Sequence, residues 1–293
     1  MLSSASSKRT SRTTVIRVRR GAARRERDQL VSEEPLQVRV SAGGESGTVA
    51  VTMRTPGHDF ELAAGFLLSE GVVSSCLEIA RIGYCHRVPL EERHNVVTAD
   101  LKVPTLPPLE GLERQGVVSS ACGVCGRRSI RDLEVRGVAP ICSDAEVGEG
   151  VLLELPHGLR RAQGLFRRTG GLHAAGLFSL EGELIAVRED VGRHNALDKL
   201  LGWALLQGRM PLEDHLLVLS GRVSYELMMK AAVGRVPVVA AVSAPSSLAV
   251  ALAHRFGITL AGFVRDDGFN LYAHPGRVRL RGLDSSPLSE VEA

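Results

Sequence analysis

A chain of 293 residues with 44% hydrophobic content can bury a sizeable core and hold one large or two ordinary domains. No apolar run reaches the roughly 18 residues that a membrane helix needs, so no membrane association is expected. Five cysteines are too few and odd in number for a disulfide scaffold and suit a reducing cytoplasm with free thiols, and the net charge of +3 is uneven, residues 1–30 carrying +7 and the remainder −4.

Residues 1–30 are rich in Arg, Ser and Thr without a periodic apolar face, which predicts a disordered basic tail. Their Arg-rich, acid-poor opening also has the look of an organelle transit peptide, but no apolar segment follows Arg19-Arg20 or Arg24-Arg25 as a secretory signal would require. Few aromatics are available to stack bases and the rest of the chain is slightly acidic, so no nucleic-acid partner is expected.

Alternation over 36–40 and 49–53 about a glycine-rich 41–47 predicts a hairpin. A helix should follow Pro56-Gly57, capped by Asp59, with Leu62, Phe66 and Leu67 on one face and Gly71 as its stop. Strands are expected over 81–88 and 95–103, and Leu106-Pro107-Pro108-Leu109 is a linker. The domain division is therefore a tail 1–30, an N-terminal α+β region 31–115, a two-cysteine loop with a short helix 116–135, an α/β domain 136–285 and a second tail 286–293.

Residues 119–128 read Ser-Ser-Ala-Cys-Gly-Val-Cys-Gly-Arg-Arg, with thiols at Cys122 and Cys125. Thiolate is the nucleophilic form of cysteine and neighbouring positive charge favours it, while the glycines leave the sulfurs reachable. Half of a structural zinc site and a thioredoxin-like dithiol are the alternatives, although no second Cys-x-x-Cys supplies the other zinc ligands.

Beyond residue 180 strands and helices alternate: a strand over 184–187, a helix with Ala196, Leu197, Leu200, Leu201, Ala204 and Leu205 on its stripe, and a strand over 216–219. A helix with Leu227, Met228, Ala231 and Ala232 inward comes next, then a strand over 237–242, a helix over 246–256 stopped by Gly257, and a strand over 258–264. Such repeats predict a mainly parallel, helix-covered sheet whose ligand lies beyond the carboxyl ends of its strands. Four loops follow predicted strands: 188–195, 220–224, 243–247 and 265–270. Three hold arginine, and two lead into helices whose free N–H groups favour anions, which suits a phosphate-bearing ligand. His194 is a base, a phosphate donor or, more simply, a residue bonded within its own loop. Glu189 and Asp190 are an acid and base or ion-pair partners of Arg188 and Arg193, and Trp203 and Phe256 belong to the core. No Rossmann or P-loop glycine pattern opens these helices, and the His-x-Glu and Pro-Cys-x-x-Cys of a zinc deaminase are missing.

Taken together, Met53-Arg54-Thr55-Pro56-Gly57, Glu61-Leu62-Ala63-Ala64-Gly65-Phe66-Leu67, Cys122-Gly123-Val124-Cys125-Gly126, Arg188-Glu189-Asp190-Val191-Gly192-Arg193-His194-Asn195-Ala196, Ser220-Gly221-Arg222 with Ser224-Tyr225-Glu226, Ser243-Ala244-Pro245-Ser246-Ser247 and Gly262-Phe263-Val264-Arg265 resemble the formate dehydrogenase accessory sulfurtransferases, the FdhD family. The resemblance covers the chain after its basic tail. It implies a homodimer whose larger domain has a cytidine-deaminase-like α/β fold without zinc chemistry. It also implies a sulfurtransferase in which Cys122 takes persulfide sulfur from a cysteine desulfurase, with Cys125 assisting. The sulfur then passes to a molybdenum or tungsten bis-guanine-dinucleotide cofactor bound for formate dehydrogenase, held as substrate with no permanent cofactor. Cofactor contacts carried over are Phe263, Val264, Arg265, Asp266, Asp267 and Gly268, with Arg193, His194, Ser220 and Arg222 added from the loops. A non-catalytic cofactor-binding chaperone with a structural Cys-x-x-Cys is the alternative.

Overall fold

The computed structural model describes residues 8–109 and 137–281. Among them the helices are α1 (Asp59–Glu70), α2 (Glu149–Ala162), α3 (Phe166–Thr169), α4 (Arg193–Leu206), α5 (Tyr225–Val233) and α6 (Ser247–Phe256). The strands are β1 (Thr10–Arg19), β2 (Ala22–Val31), β3 (Glu34–Ala42), β4 (Glu45–Arg54), β5 (Ile79–Tyr84), β6 (Val96–Leu101), β7 (Val147–Gly148), β8 (His173–Ser179), β9 (Leu184–Asp190), β10 (His215–Leu219), β11 (Val238–Ala241), β12 (Thr259–Arg265), β13 (Gly268–Ala273) and β14 (Val278–Arg279). Two units divide the chain, and both are discontinuous. The described part of unit 1 is 8–109, 163–173 and 189–207; that of unit 2 is 137–162, 174–188 and 208–281. This corrects the sequential boundaries expected from the sequence, because 163–173 and all of α4 belong with the N-terminal unit.

Unit 1 opens on β1 and β2, paired antiparallel from Thr10↔Val31 to Arg19↔Ala22. The turn residues Arg20 and Gly21 both have positive φ, 46° and 82°, as a two-residue turn matched to strand twist requires. From residue 10 onward the predicted disordered tail is thus corrected to a hairpin. Thr13, Thr14, Val15, Ile16 and Val18 favour pleated backbone, and Arg17 meets Glu26 across the ladder at 3.0 Å.

The expected hairpin over β3 and β4 turns at Gly43 and Gly44, with φ of 58° and 86°. It joins β5 and β6 in a sheet of order β4-β3-β6-β5, in which β3 and β6 run parallel and their other neighbours antiparallel. Leu36, Val38, Val40, Val97 and Ala99 form its buried face, and α1 packs on β5 and β6. Gly71 ends α1 in the left-handed region as predicted, but Asp59 is the first helical residue instead of its cap. Its carboxylate is bound by Arg54. The helices α1 and α4 cross at Gly65 and Gly202: a Cβ on the first would overlap the carbonyl oxygen of Asp198, and one on the second that of Glu61. Only glycine permits this approach.

In unit 2 a six-stranded sheet runs β13-β12-β11-β10-β8-β9. Its centre is parallel, β10 to β11 and β11 to β12, whereas β8 is antiparallel to β10 and β13 to β12. The expected mainly parallel sheet is therefore a mixed one, its three parallel strands flanked by antiparallel partners. Leu216, Val218, Val238, Ala240 and Ala261 point to one face, where they form a core with Leu152, Leu155 and Leu159 of α2. Their alternates Leu217, Leu219, Val239, Ala241 and Leu260 are equally buried on the other face. The inward sides of α5 and α6 are buried too, Leu227, Met228, Ala231 and Ala232 as expected, and Phe256 is a core residue. Short strands β7 and β14 pair in parallel beside this core.

Candidate functional site

Cys122 and Cys125, with the adjoining Arg127 and Arg128, lie outside the described residues, as does the short helix expected over 129–135. Three other thiols, Cys76, Cys85 and Cys142, are free.

Parallel strands bring three of the four predicted loops to one edge of unit 2. Val223 N donates to Ala244 O at 3.1 Å and Ser246 N to Val223 O at 2.9 Å, tying the loop after β10 to the loop after β11. Phe263 N donates to Ser243 O at 3.3 Å, tying β12 to the same loop. Close packing explains Gly262, where a Cβ would stand 2.9 Å from the Tyr272 ring and 3.1 Å from Pro245. Both α5 and α6 begin at this edge, and Ser246 caps α6 by accepting from Ala249 N at 3.2 Å. The positive ends of the two helix dipoles and two exposed arginines, Arg222 and Arg265, give the edge positive potential.

The carried-over contacts divide by burial. Phe263 sits at φ 53° at a register shift in the β12–β13 ladder, 37% exposed, an orientation costly for a residue with a Cβ. Val264 is 1% exposed in the sheet core, so its side chain faces away from any ligand on the edge. Asp266 Oδ1 lies 2.6 Å from His157 Nε2, Asp267 is exposed, and Gly268 pairs with Arg265 in the ladder. Ser220 is a clasp, its N donating to Ala174 O at 3.0 Å and its Oγ accepting from Ala174 N at 2.8 Å.

The fourth loop, 188–195, ends in unit 1, where its acidic residues are structural. Glu189 accepts from the backbone N–H groups of Leu165 and Phe166 at 3.0 and 2.7 Å. Asp190, 0% exposed, receives Lys199 Nζ at 2.6 Å, Thr55 N at 3.1 Å, Gly192 N at 2.8 Å and Asn195 Nδ2 at 3.2 Å. Lys199 also donates to Thr55 O at 2.8 Å, and Asn195 to Met53 O at 2.8 Å. Of the two readings of this pair, an ion pair is seen for Asp190, with Lys199, while Glu189 accepts from backbone N–H groups. Burial pushes the Lys199 ammonium below the usual lysine range, and the Asp190 charge pulls it back only in part. Arg193 and His194 are half-buried in the same unit.

A second buried cluster adjoins it in sequence. Arg54, 0% exposed, forks onto both carboxylate oxygens of Asp59 at 3.1 Å and donates to His94 O at 2.9 Å. Tyr84 Oη donates to Asp59 at 2.9 Å, and burial followed by the Asp59 charge raises its pKa. Sequence reasoning missed Lys199, Arg54 and Tyr84. The signal for Lys199 was a cation between Leu197 and Leu200 on an apolar stripe.

Within unit 2, then, a mixed α/β sheet presents a loop rim with two helix N-termini, exposed arginines and an outward aromatic, the makings of an anion-binding edge. The chain belongs to the FdhD/NarQ family, whose model matches residues 31–279. It is similar to the sulfur carrier protein FdhD of Streptomyces coelicolor, 46% identical over 277 residues that cover 93% of this chain and 96% of that one. With the sulfur carrier protein FdhD of Mycobacterium tuberculosis it shares 47% identity over 258 residues, 86% of this chain and 92% of that protein. Its fold is similar to the crystal structure of a protein from Desulfotalea psychrophila provisionally described as a formate dehydrogenase accessory protein. That match has a TM-score of 0.72 at 24% identity and covers 93% of this chain and 100% of the other.

Proposed function

We propose that this protein is a sulfur carrier required for formate dehydrogenase activity, working through a persulfide on Cys122. The Cys122 thiolate attacks the outer sulfur of a cysteine desulfurase persulfide, the desulfurase thiolate leaves, and the sulfur is carried to a molybdenum or tungsten bis-guanine-dinucleotide cofactor held as substrate. Arg127 and Arg128 favour the thiolate, and moderate acidity suits repeated transfer because a very acidic thiol is a poor nucleophile. Cys125 assists. The observation that carries the reading is the unit 2 edge, where Arg222, Arg265, Phe263 and the starts of α5 and α6 converge. This supports binding of pyrophosphate by N–H groups and guanidinium, with Phe263 offering a face for a base. The names of the relatives support the sulfur chemistry. A cytidine-deaminase-like description of the larger domain is supported by the mixed order β9-β8-β10-β11-β12. A cytoplasmic homodimer completes the reading.

Intact-mass analysis of the purified chain after incubation with a cysteine desulfurase and cysteine tests it. One added sulfur on the wild type and none on Cys122→Ala is expected, along with loss of formate dehydrogenase activity in cells carrying the variant. Full activity with Cys122→Ala would instead favour a chaperone that holds the cofactor and uses its Cys-x-x-Cys structurally.

A further inference from the structure

Unit 1 contains a cavity that the sulfur-carrier reading does not use. It lies on the face of the four-stranded sheet opposite the buried Leu36, Val38 and Val40, has a volume of about 580 Å³, and its charged lining is Arg39, Arg81 and Arg87 with Glu45 and Asp100, a net excess of one positive charge. This is within the size range of small-molecule sites. Strand geometry explains the lining: Arg39 and Ser41 alternate with the core residues of β3, and the parallel register sets Arg39 beside Thr98 and Ser41 beside Asp100. Register shifts occur between Val38 and Arg39 in one ladder and between Ile79 and Arg81 in another. Such irregularities re-aim side chains, and both fall at cavity-lining arginines.

An ordinary solvated sheet face would leave its cations in water. Here the Arg39 Nε is buried and has no hydrogen-bond partner among the described residues. Arg39 as a whole is half-buried; with Nε closed to solvent, its guanidinium would meet an oxyanion in the cavity through its outer N–H groups, whose charge-assisted hydrogen bonds would offset the partial desolvation of the cation. Asp100 supplies the complementary feature. One of its oxygens accepts from Ser41 Oγ at 2.5 Å, leaving acceptor capacity for a hydroxyl or amine donor.

We propose that this cavity binds a small phosphate ester bearing hydroxyl groups, its phosphate on Arg39, with Arg81 and Arg87 adding charge and Asp100 accepting from a hydroxyl. The cavity is lined by unit 1 residues alone, and the proposal does not depend on the function proposed for the unit 2 edge. Thermal-shift and calorimetric titrations of the full chain with ribose 5-phosphate and with inorganic phosphate, against potassium chloride of equal ionic strength, test the proposal. Saturable stabilisation by ribose 5-phosphate is expected, weaker by about tenfold or more in Arg39→Met through loss of charge-assisted hydrogen bonds. A response lost in Arg265→Met and kept in Arg39→Met would put the binding on the unit 2 edge and overturn the proposal, and Asp100→Asn should weaken ribose 5-phosphate more than phosphate. Arg39→Lys keeps the charge but lacks the guanidinium fork, and the same weakening in that variant guards against a folding defect in Arg39→Met. The proposal fails if the wild type shows no saturable response beyond the salt control, or if both Arg39 variants bind like wild type.

Discussion

Asp190→Asn distinguishes a residue that holds the fold from one that takes part in chemistry. The carboxylate accepts from four donors, two on each oxygen: Lys199 Nζ and Thr55 N on Oδ2, and Gly192 N and Asn195 Nδ2 on Oδ1. An amide offers one acceptor atom, so whichever way it turns, its NH₂ faces two of those donors, and Lys199 loses the counter-ion that offsets its burial. Removing one partner of such a pair costs about 3–5 kcal/mol, a large share of the total stability of about 5–15 kcal/mol usual for a domain. With a urea slope of about 2 kcal/mol/M, the unfolding midpoint of unit 1 should fall by about 2 M. Adding Lys199→Met removes the stranded charge and should recover at least half of the loss, a coupling measurable by a double-mutant cycle. Urea unfolding by circular dichroism is the assay, with formate dehydrogenase activity in cells as the parallel readout. If Asp190→Asn unfolds at the wild-type midpoint yet abolishes activity, the structural assignment is wrong and Asp190 is a reacting group.

Gly202→Ala should destabilise by at least about 1–3 kcal/mol, because its methyl overlaps the Glu61 carbonyl where α1 and α4 cross; an unchanged melting temperature would contradict that contact. Phe263→Gly relieves a left-handed backbone worth about 1–2 kcal/mol against about 0.5–1 kcal/mol of added chain entropy, so melting should stay level or rise slightly while cofactor retention falls. A clear drop in melting temperature would make Phe263 a packing residue.

The run from β10 to β12 was legible because each step carries an unambiguous local signal. The strand over 237–242 is apolar throughout, since β11 is covered on both faces, and Gly257 stops α6 at φ 67°. The hairpin of β1 and β2 was hidden by charge. Arginines on alternate positions broke the apolar pattern, although β-branched residues and the Arg20-Gly21 turn were in view and Glu26 lay ready to pair with Arg17 and Arg24. The membership of α4 was not legible at all: its apolar stripe fits any cover, and what assigns it to unit 1 is the Gly65–Gly202 approach over a long sequence separation. Likewise, no local pattern says that β8 enters the sheet antiparallel to β10. At the site, the loops were found, but whether each residue points out or in depends on tertiary burial.

That last distinction reorganises the motif residues by physical task. The segments 53–57 and 188–196 look as chemical as any in the chain, being dense in charge and glycine, yet Arg54, Asp59, Asp190 and Lys199 are all at most 2% exposed and bonded to one another, to backbone or to neighbouring side chains such as Tyr84 and Asn195. Buried pairs of this kind contribute little net stability over apolar packing but penalise every arrangement that separates them. They suit a role in fixing the 53–57 loop against the start of α4. The outward groups are fewer: Arg222, Phe263 and Arg265 on the unit 2 edge, with two helix starts beside them. With so few cations there among the described residues, binding of the proposed anionic ligand would draw much of its strength from backbone N–H groups, whose positions are set by the strand register and by Gly262 beneath Pro245 and Tyr272. Ligand affinity there should follow the integrity of the sheet edge as much as the identity of any one exposed side chain.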